Sequence, residues 1–268
     1  MDKRLLGIAL ATCGFAAPAL SAPVNALAVY TFETGITADD TGNGHDGTLH
    51  GGVSTVAGRG GAGSAISLTT GPGTRGIDTG IDINRSVMSS MSMGGWFFAL
   101  DNGTGPGGKA LSQDNGAFGR TLGLDGRGND AGTDYVAFDG VGGDGAPTDA
   151  PVSGGEIGVW VHVAVVYDGA SSGLYLNGVL AESFTDDTTA DYGSTGQTSL
   201  FIGSNNYYNE DFVGYADDIF VYDRALTAAE IDDIFTNGFG TAVAPVPLPA
   251  GGLLLLAALG GLAARRRR

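Results

Sequence analysis

Between residues 27 and 240 the chain alternates short apolar runs with segments of glycine, aspartate, asparagine and threonine. Residues 27–32, 65–68, 93–100, 135–138, 159–167, 174–176, 199–203 and 219–222 read as strands bounded by turns. Residues 160–167, WVHVAVVY, are apolar on both alternating faces, as expected of a central strand covered on both sides. Asn177-Gly178 supplies the positive φ of a tight hairpin turn. One short helix is expected, with Thr227 as N-cap, Glu230 returning the bond in a capping box, and a stop near Asn237-Gly238. Residues 101–155, dense in glycine and aspartate, read as long rim loops. The pattern predicts an all-β, antiparallel two-sheet jelly-roll sandwich with one short C-terminal helix.

The two ends follow a different pattern. Residues 1–26 read as a secretory signal: Lys3 and Arg4 lead an alanine-rich apolar stretch, with small residues near Val24 and Ala26 for cleavage. Residues 241–247 form a linker that opens a proline-containing segment, residues 248–264 an apolar run, and residues 265–268 four arginines. Seventeen apolar residues lie at the short end of the ~17–25 a membrane helix needs, and the arginines would stay in the cytoplasm. A plain single-span anchor accounts for this order. The order also resembles the VPLPA variant of the PEP-CTERM sorting tails, carried by Val246, Pro247, Leu248, Pro249 and Ala250. That resemblance implies processing by an exosortase-type transpeptidase. Under both readings the body is exported to the bacterial cell envelope or surface and at least transiently tethered to the membrane.

Composition narrows the partners. Without the signal and the arginine tail, seven basic residues face 28 acidic ones, a net charge of about −21. Such a surface repels nucleic acid and anionic lipid, and suits cations or uncharged glycans. Cys13, the one cysteine, lies in the signal, so the mature body has no disulfide and no thiolate chemistry.

Three segments resemble the laminin-G/concanavalin-type jelly rolls: AVYTFE at 28–33 followed by DDTGNGHDGTL at 39–49; WVHVAVVYDG at 160–169 with LYLNG at 174–178; and GYADDIFVYDRAL at 214–226 with AAEI at 228–231. The resemblance spans most of the body. It implies an exported, non-catalytic module for binding or adhesion to carbohydrate, extracellular matrix or a surface protein. A structural surface or biofilm protein without a small ligand is the alternative, and a glycoside hydrolase of the same fold ranks below both.

Candidate chemistry centres on the acidic loop 39–47, where oxygen-bearing side chains separated by glycines can converge on a hard cation. The resemblance implies a structural calcium held by Asp39, Asn43 and Asp46 with Asp217 and Asp218. Strict alternation along 215–222 puts Asp217 on the face of Ile219 and Val221, and Asp218 on that of Phe220 and Tyr222. The competing reading has Asp39 and Asn43 shaping turns and Asp217 bonded to backbone amides. A softer glycan site is Asn205 with Tyr207 and Tyr208 on a rim loop, where asparagine offers hydrogen bonds and tyrosine a stacking face. His162, mid-strand beside Trp160, reads as a core histidine bonded to backbone.

No catalytic assignment survives. Gly108-Lys109 has P-loop spacing, but Ala110 lacks the hydroxyl for magnesium. Glu230 and Asp232 approach the acidic pattern of related-fold glucanases, yet Phe235 stands where the next carboxylate belongs. No Gly-x-Ser-x-Gly elbow is present.

Overall fold

The computed structural model describes residues 25–70, 76–101, 108–113, 119–125, 134–138, 157–185, 198–205 and 210–239. Residues 1–24 of the expected signal, the expected sorting motif Val246, Pro247, Leu248, Pro249 and Ala250, and the apolar C-terminal run lie outside these residues. Among the described residues no helix is long and apolar enough to cross a membrane.

In chain order the strands are β1 (Ala28–Tyr30), β2 (Thr48–His50), β3 (Gly52–Ala57), β4 (Ser64–Thr70), β5 (Gly76–Asp78), β6 (Met91–Ala99), β7 (Lys109–Ser112) and β8 (Thr121–Asp125). They continue with β9 (Asp134–Phe138), β10 (Trp160–Tyr167), β11 (Ser171–Leu176), β12 (Val179–Thr185), β13 (Phe201–Ile202), β14 (Ser204–Asn205), β15 (Glu210–Asp211) and β16 (Gly214–Tyr222). The helix α1 (Ala228–Asn237) closes the body. The first sheet runs β12-β11-β10-β6-β16-β4-β3, with β1 also paired to β16. The second runs β14-β15-β7-β13-β5-β2, with β8 on β7 and β9 on β8. Among the described residues the strands pair antiparallel apart from β15 with β7, where Asp211 lies parallel to Lys109, and an isolated parallel bridge joins Ala99 to Ile157. Within the stretch 101–155 that the glycine content marked as rim loops, the expected strand at 135–138 is β9, and β7 and β8 are two further strands whose short apolar runs are buried.

The main core lies between the sheets, with Phe97, Val163, Val165, Ile219 and Val221 meeting Ile77, Leu111, Leu124 and Ile202. A second apolar cluster covers the outer face of the first sheet, where Ala164, Val166, Phe220 and Tyr222 meet Ile231 and Ile234 of α1. That explains the apolar character of both faces of β10: one meets the other sheet, the other meets the helix. The helix begins as its sequence dictates. The Thr227 hydroxyl accepts from the Glu230 N–H, and the Glu230 carboxylate accepts from the Thr227 N–H. The hairpin between β11 and β12 turns at Asn177 (φ 48°) and Gly178 (φ 82°).

The closing strand departs from strict alternation. Asp217 pairs with Trp96 and Phe220 with Gly94, so β16 carries one extra residue against β6 at this point. Asp218 takes φ 49°, the left-handed turn of a bulge. Tyr215 and Asp217 therefore share the outer face with Phe220 and Tyr222, while Ala216, Ile219 and Val221 point into the main core. This corrects the expected grouping of Asp217 with Ile219 and Val221.

Candidate functional site

The acidic loop is held by its own hydrogen bonds. Asp39 is buried, and its carboxylate accepts from the N–H groups of Val29, Thr41 and His45 and from the Thr41 hydroxyl. Burial pushes the Asp39 carboxyl up, but these bonds from Thr41, Val29 and His45 outweigh it and hold the group below its usual range. Asp46 accepts from the Asp39 N–H, and the Asn43 amide donates to the carbonyls of Ala26 and Leu27.

Asp217 and Asp218 belong to a different neighbourhood. Asp217 accepts from the N–H of Arg59, and Asp218 feels the carboxylates of Glu33 and Asp40. Burial, then repulsion from Asp218, raises the Asp217 carboxyl to about 7. Of the five residues expected to share one calcium, Asp39, Asn43 and Asp46 bond to the chain within and next to the loop, while Asp217 and Asp218 lie beside Arg59. Among the described residues no group of three acidic or histidine side chains could hold a metal ion.

The softer glycan candidate also changes character. Asn205, expected on a rim loop, is buried in β14, and its amide donates to Glu210 at 3.3 Å. Tyr207 and Tyr208 lie outside the described residues. Lys109, which the sequence placed at the end of a P-loop-like spacing, is buried in β7, 3.9 Å from Glu210. Glu230 is engaged by the helix cap and by Arg224 at 2.7 Å.

His162 is fully buried, and no hydrogen bond reaches either ring nitrogen. The ring packs among Trp96, Phe220 and Phe235, and among the described residues the backbone bond expected for it is absent; its main-chain N–H donates to the Asn177 side-chain oxygen. Desolvation, then the nearby Arg59 charge, lowers its pKa to about 3, so the ring stays neutral at ordinary pH.

The outer face of the first sheet holds a site that strand periodicity alone does not disclose. Trp160 lies opposite Phe98, and Phe98 opposite Tyr215, in a row across β10, β6 and β16. All three rings are half-buried, with centroids 5.7 Å apart for Phe98 and Trp160, 5.6 Å for Phe98 and Tyr215, and 6.5 Å for Trp160 and Tyr215. The row continues to Ser67 of β4 and Ser54 of β3, and Ser67 exchanges a 2.9 Å hydrogen bond with Thr69. The helix packs farther along this face, on Phe220 and Tyr222. Between helix and row lies Trp96, with the Arg59 guanidinium 3.7 Å above its ring. The arrangement offers aromatic faces, hydroxyls and an arginine on one surface. The signal available in the sequence was the set Trp96, Phe98, Trp160 and Tyr215, but only strand register shows that three of them form a row.

Residues 76–232 match the profile of the concanavalin A-like lectin/glucanases superfamily. The chain belongs to that superfamily. Arg59, the hydroxyls of β3 and β4, and the whole acidic loop precede the matched residues. No curated protein sequence gives a significant match. Among solved structures, domain 4 of AbnA, a GH43 extracellular arabinanase from Geobacillus stearothermophilus, in complex with arabinotriose, aligns with TM-score 0.56 and 23% identity over 78% of this chain and 97% of that one. The binding domain of Paraclostridial Mosquitocidal Protein 1 aligns with TM-score 0.54 and 18% identity, over 74% of this chain and 48% of that one. The botulinum neurotoxin serotype G binding domain gives 0.50 and 16%, over 79% and 50%. At these identities the likeness is one of fold.

Proposed function

We propose that this lectin/glucanase-type domain is a non-catalytic carbohydrate-binding module, exported and held at the cell envelope. The observation that carries the reading is the half-buried row Trp160, Phe98 and Tyr215 on the part of the sheet face that α1 leaves open. A soluble domain gains nothing by leaving a contiguous aromatic cluster in water, and such patches mark binding surfaces. Aromatic rings combine a large apolar face with little conformational freedom to lose, which suits the C–H faces of sugar rings. Serine and threonine hydroxyls beside them match sugar hydroxyls.

Two further lines support the reading. The arabinanase domain of like fold is seen with arabinotriose, an analogy of fold alone. Glu230, which the glucanase-like pattern singled out, is engaged by Arg224 and by the helix cap. Export and tethering rest on the signal-like start and the VPLPA-type tail.

Screening the purified protein and its Trp160→Ala and Tyr215→Ala variants on a glycan array tests this. Selective binding by the parent, weakened at least about tenfold in each folded variant, is the expected result. Unchanged binding by both variants would remove the site. A parent that binds no glycan would favour a structural surface role.

A further inference from the structure

We propose that the aromatic face recognises an uncharged glycan, and that Arg59 is the side chain that orients it. The inference rests on the glycan-binding reading above and adds the ligand's charge class and its polar contact.

Trp96 and Phe98 are alternate residues of β6 and point to the same outer face, so Trp96 extends the row towards the helix. The Arg59 guanidinium lies over Trp96, 3.7 Å from guanidinium carbon to ring centroid. Its position is set twice, by this cation–π contact and by the bond from its backbone N–H to Asp217, the residue opposite Trp96 in the strand register. The residue is exposed, and among the described residues no acceptor bonds its guanidinium. Its fork of N–H donors therefore faces solvent at the edge of the aromatic strip, where a stacked sugar would present its ring hydroxyls.

The surrounding charge settles the ligand class. Asp217 and Asp218 both feel Arg59, and Glu33 and Asp40 act on Asp218. One arginine among four carboxylates does not attract a polyanion, and the whole chain carries a net charge of −16. An uncharged chain escapes that repulsion while keeping the stacking and the hydroxyl bonds. An arginine held in place among carboxylates is suited to geometry rather than to long-range attraction.

The test measures binding of the purified protein to mixed-linkage β-glucan and debranched arabinan, which are neutral, and to polygalacturonate, which is anionic. A printed array of neutral and acidic oligosaccharides broadens the panel. Binding to at least one neutral glycan is expected to change less than about twofold between roughly 50 and 500 mM NaCl. Acidic counterparts should bind at least about tenfold more weakly, and Arg59→Ala should cost the neutral glycan about tenfold, with Arg59→Lys recovering little of it. Arg59 is exposed, so a melting temperature close to the parent's is expected for both variants. Preference for polygalacturonate, weakened by salt and lost in Trp160→Ala, would overturn the charge class and leave the aromatic site standing. Neutral binding untouched by Arg59→Ala but lost in Trp160→Ala would overturn the role of Arg59 alone. Parental affinity in both Trp160→Ala and Tyr215→Ala, or no binding to any glycan, would bring down the site and this inference together.

Discussion

The carboxylate of Asp39 accepts the backbone N–H of Val29, ten residues earlier, across 3.2 Å of buried space. It thereby fastens the acidic loop to β1 and supplies a partner to a main-chain group that water does not reach. Asp39→Ala would remove that acceptor together with those for Thr41 and His45, and is expected to cost about 2–3 kcal/mol. The lowered Asp39 pKa fixes the sign with pH. Its contribution is present above the ordinary aspartate range and lost as acid drives the pH down through the folded-state value. Urea titrations from pH 7 to pH 3 check this; a parent and variant that differ as much at pH 3 as at pH 7 would contradict it.

His162 and Asp217 pull stability in opposite directions. The folded-state pKa of His162 is about 3, so protonation below the ordinary histidine value favours the unfolded chain. Its stabilising share is full above about pH 6.5 and declines as the pH falls from there towards 3. His162→Phe should flatten this acid loss, because the ring sits among aromatic neighbours and has no hydrogen bond to forfeit. Denaturation midpoints at pH 7, 6, 5 and 4 provide the comparison.

The Asp217 carboxyl is raised to about 7, so the charged form is disfavoured in the folded chain. That cost is complete above pH 7, shrinks as the pH falls, and is gone below the ordinary aspartate value. Asp217→Asn is expected to raise the melting temperature at pH 8 and to change it little at pH 4. A variant less stable than the parent at pH 8 would show that the bond from Arg59 outweighs desolvation.

Glu230 joins the helix cap to Arg224, whose hydrogen bonds are the main reason its pKa falls to about 2. Glu230→Gln keeps a weaker cap and loses the ion pair, at an expected cost of about 1 kcal/mol above pH 5. Since the folded pKa is depressed, the parent's advantage should vanish between about pH 4.5 and 2. Thermal melts across that interval decide it.

Gly94 lies where the Phe220 ring and β10 come closest to β6. A Cβ there would stand 2.5 Å from the Val163 carbonyl oxygen and 2.7 Å from the Phe220 ring. Gly94→Ala is expected to destabilise by about 1–3 kcal/mol through overpacking, read from urea midpoints.

Much of this was legible in the chain, and the remainder was hidden for definable reasons. The capping box at Thr227 and Glu230 and the turn at Asn177-Gly178 are local devices, so a few adjacent residues specify them. Strand β7 went unseen because KALS is brief and lies amid glycines; its burial comes from β8 and β13, distant in sequence. The aromatic row escaped for a related reason. Trp160, Phe98 and Tyr215 are separated by more than 50 residues at each step, and only the register of β6 with both neighbours brings them level. The acidic loop was recognised as a unit, but composition does not say whether its oxygens turn towards a shared cation or towards the chain's own N–H groups.

The bulge at Asp218 leaves the two halves of β16 out of phase with each other. Tyr215 and Asp217 stand at odd positions and Phe220 and Tyr222 at even ones, yet the extra residue lets all four reach the outer face. Deleting Asp218 would leave Tyr215 where it is, because the remaining residues then alternate regularly. Flattening the bulge without removing a residue would do the opposite: with Phe220 and Tyr222 kept beneath the helix, Tyr215 would turn inward and Ala216 would take its place outside. The aromatic row thus depends on the backbone conformation of a residue that is not part of it.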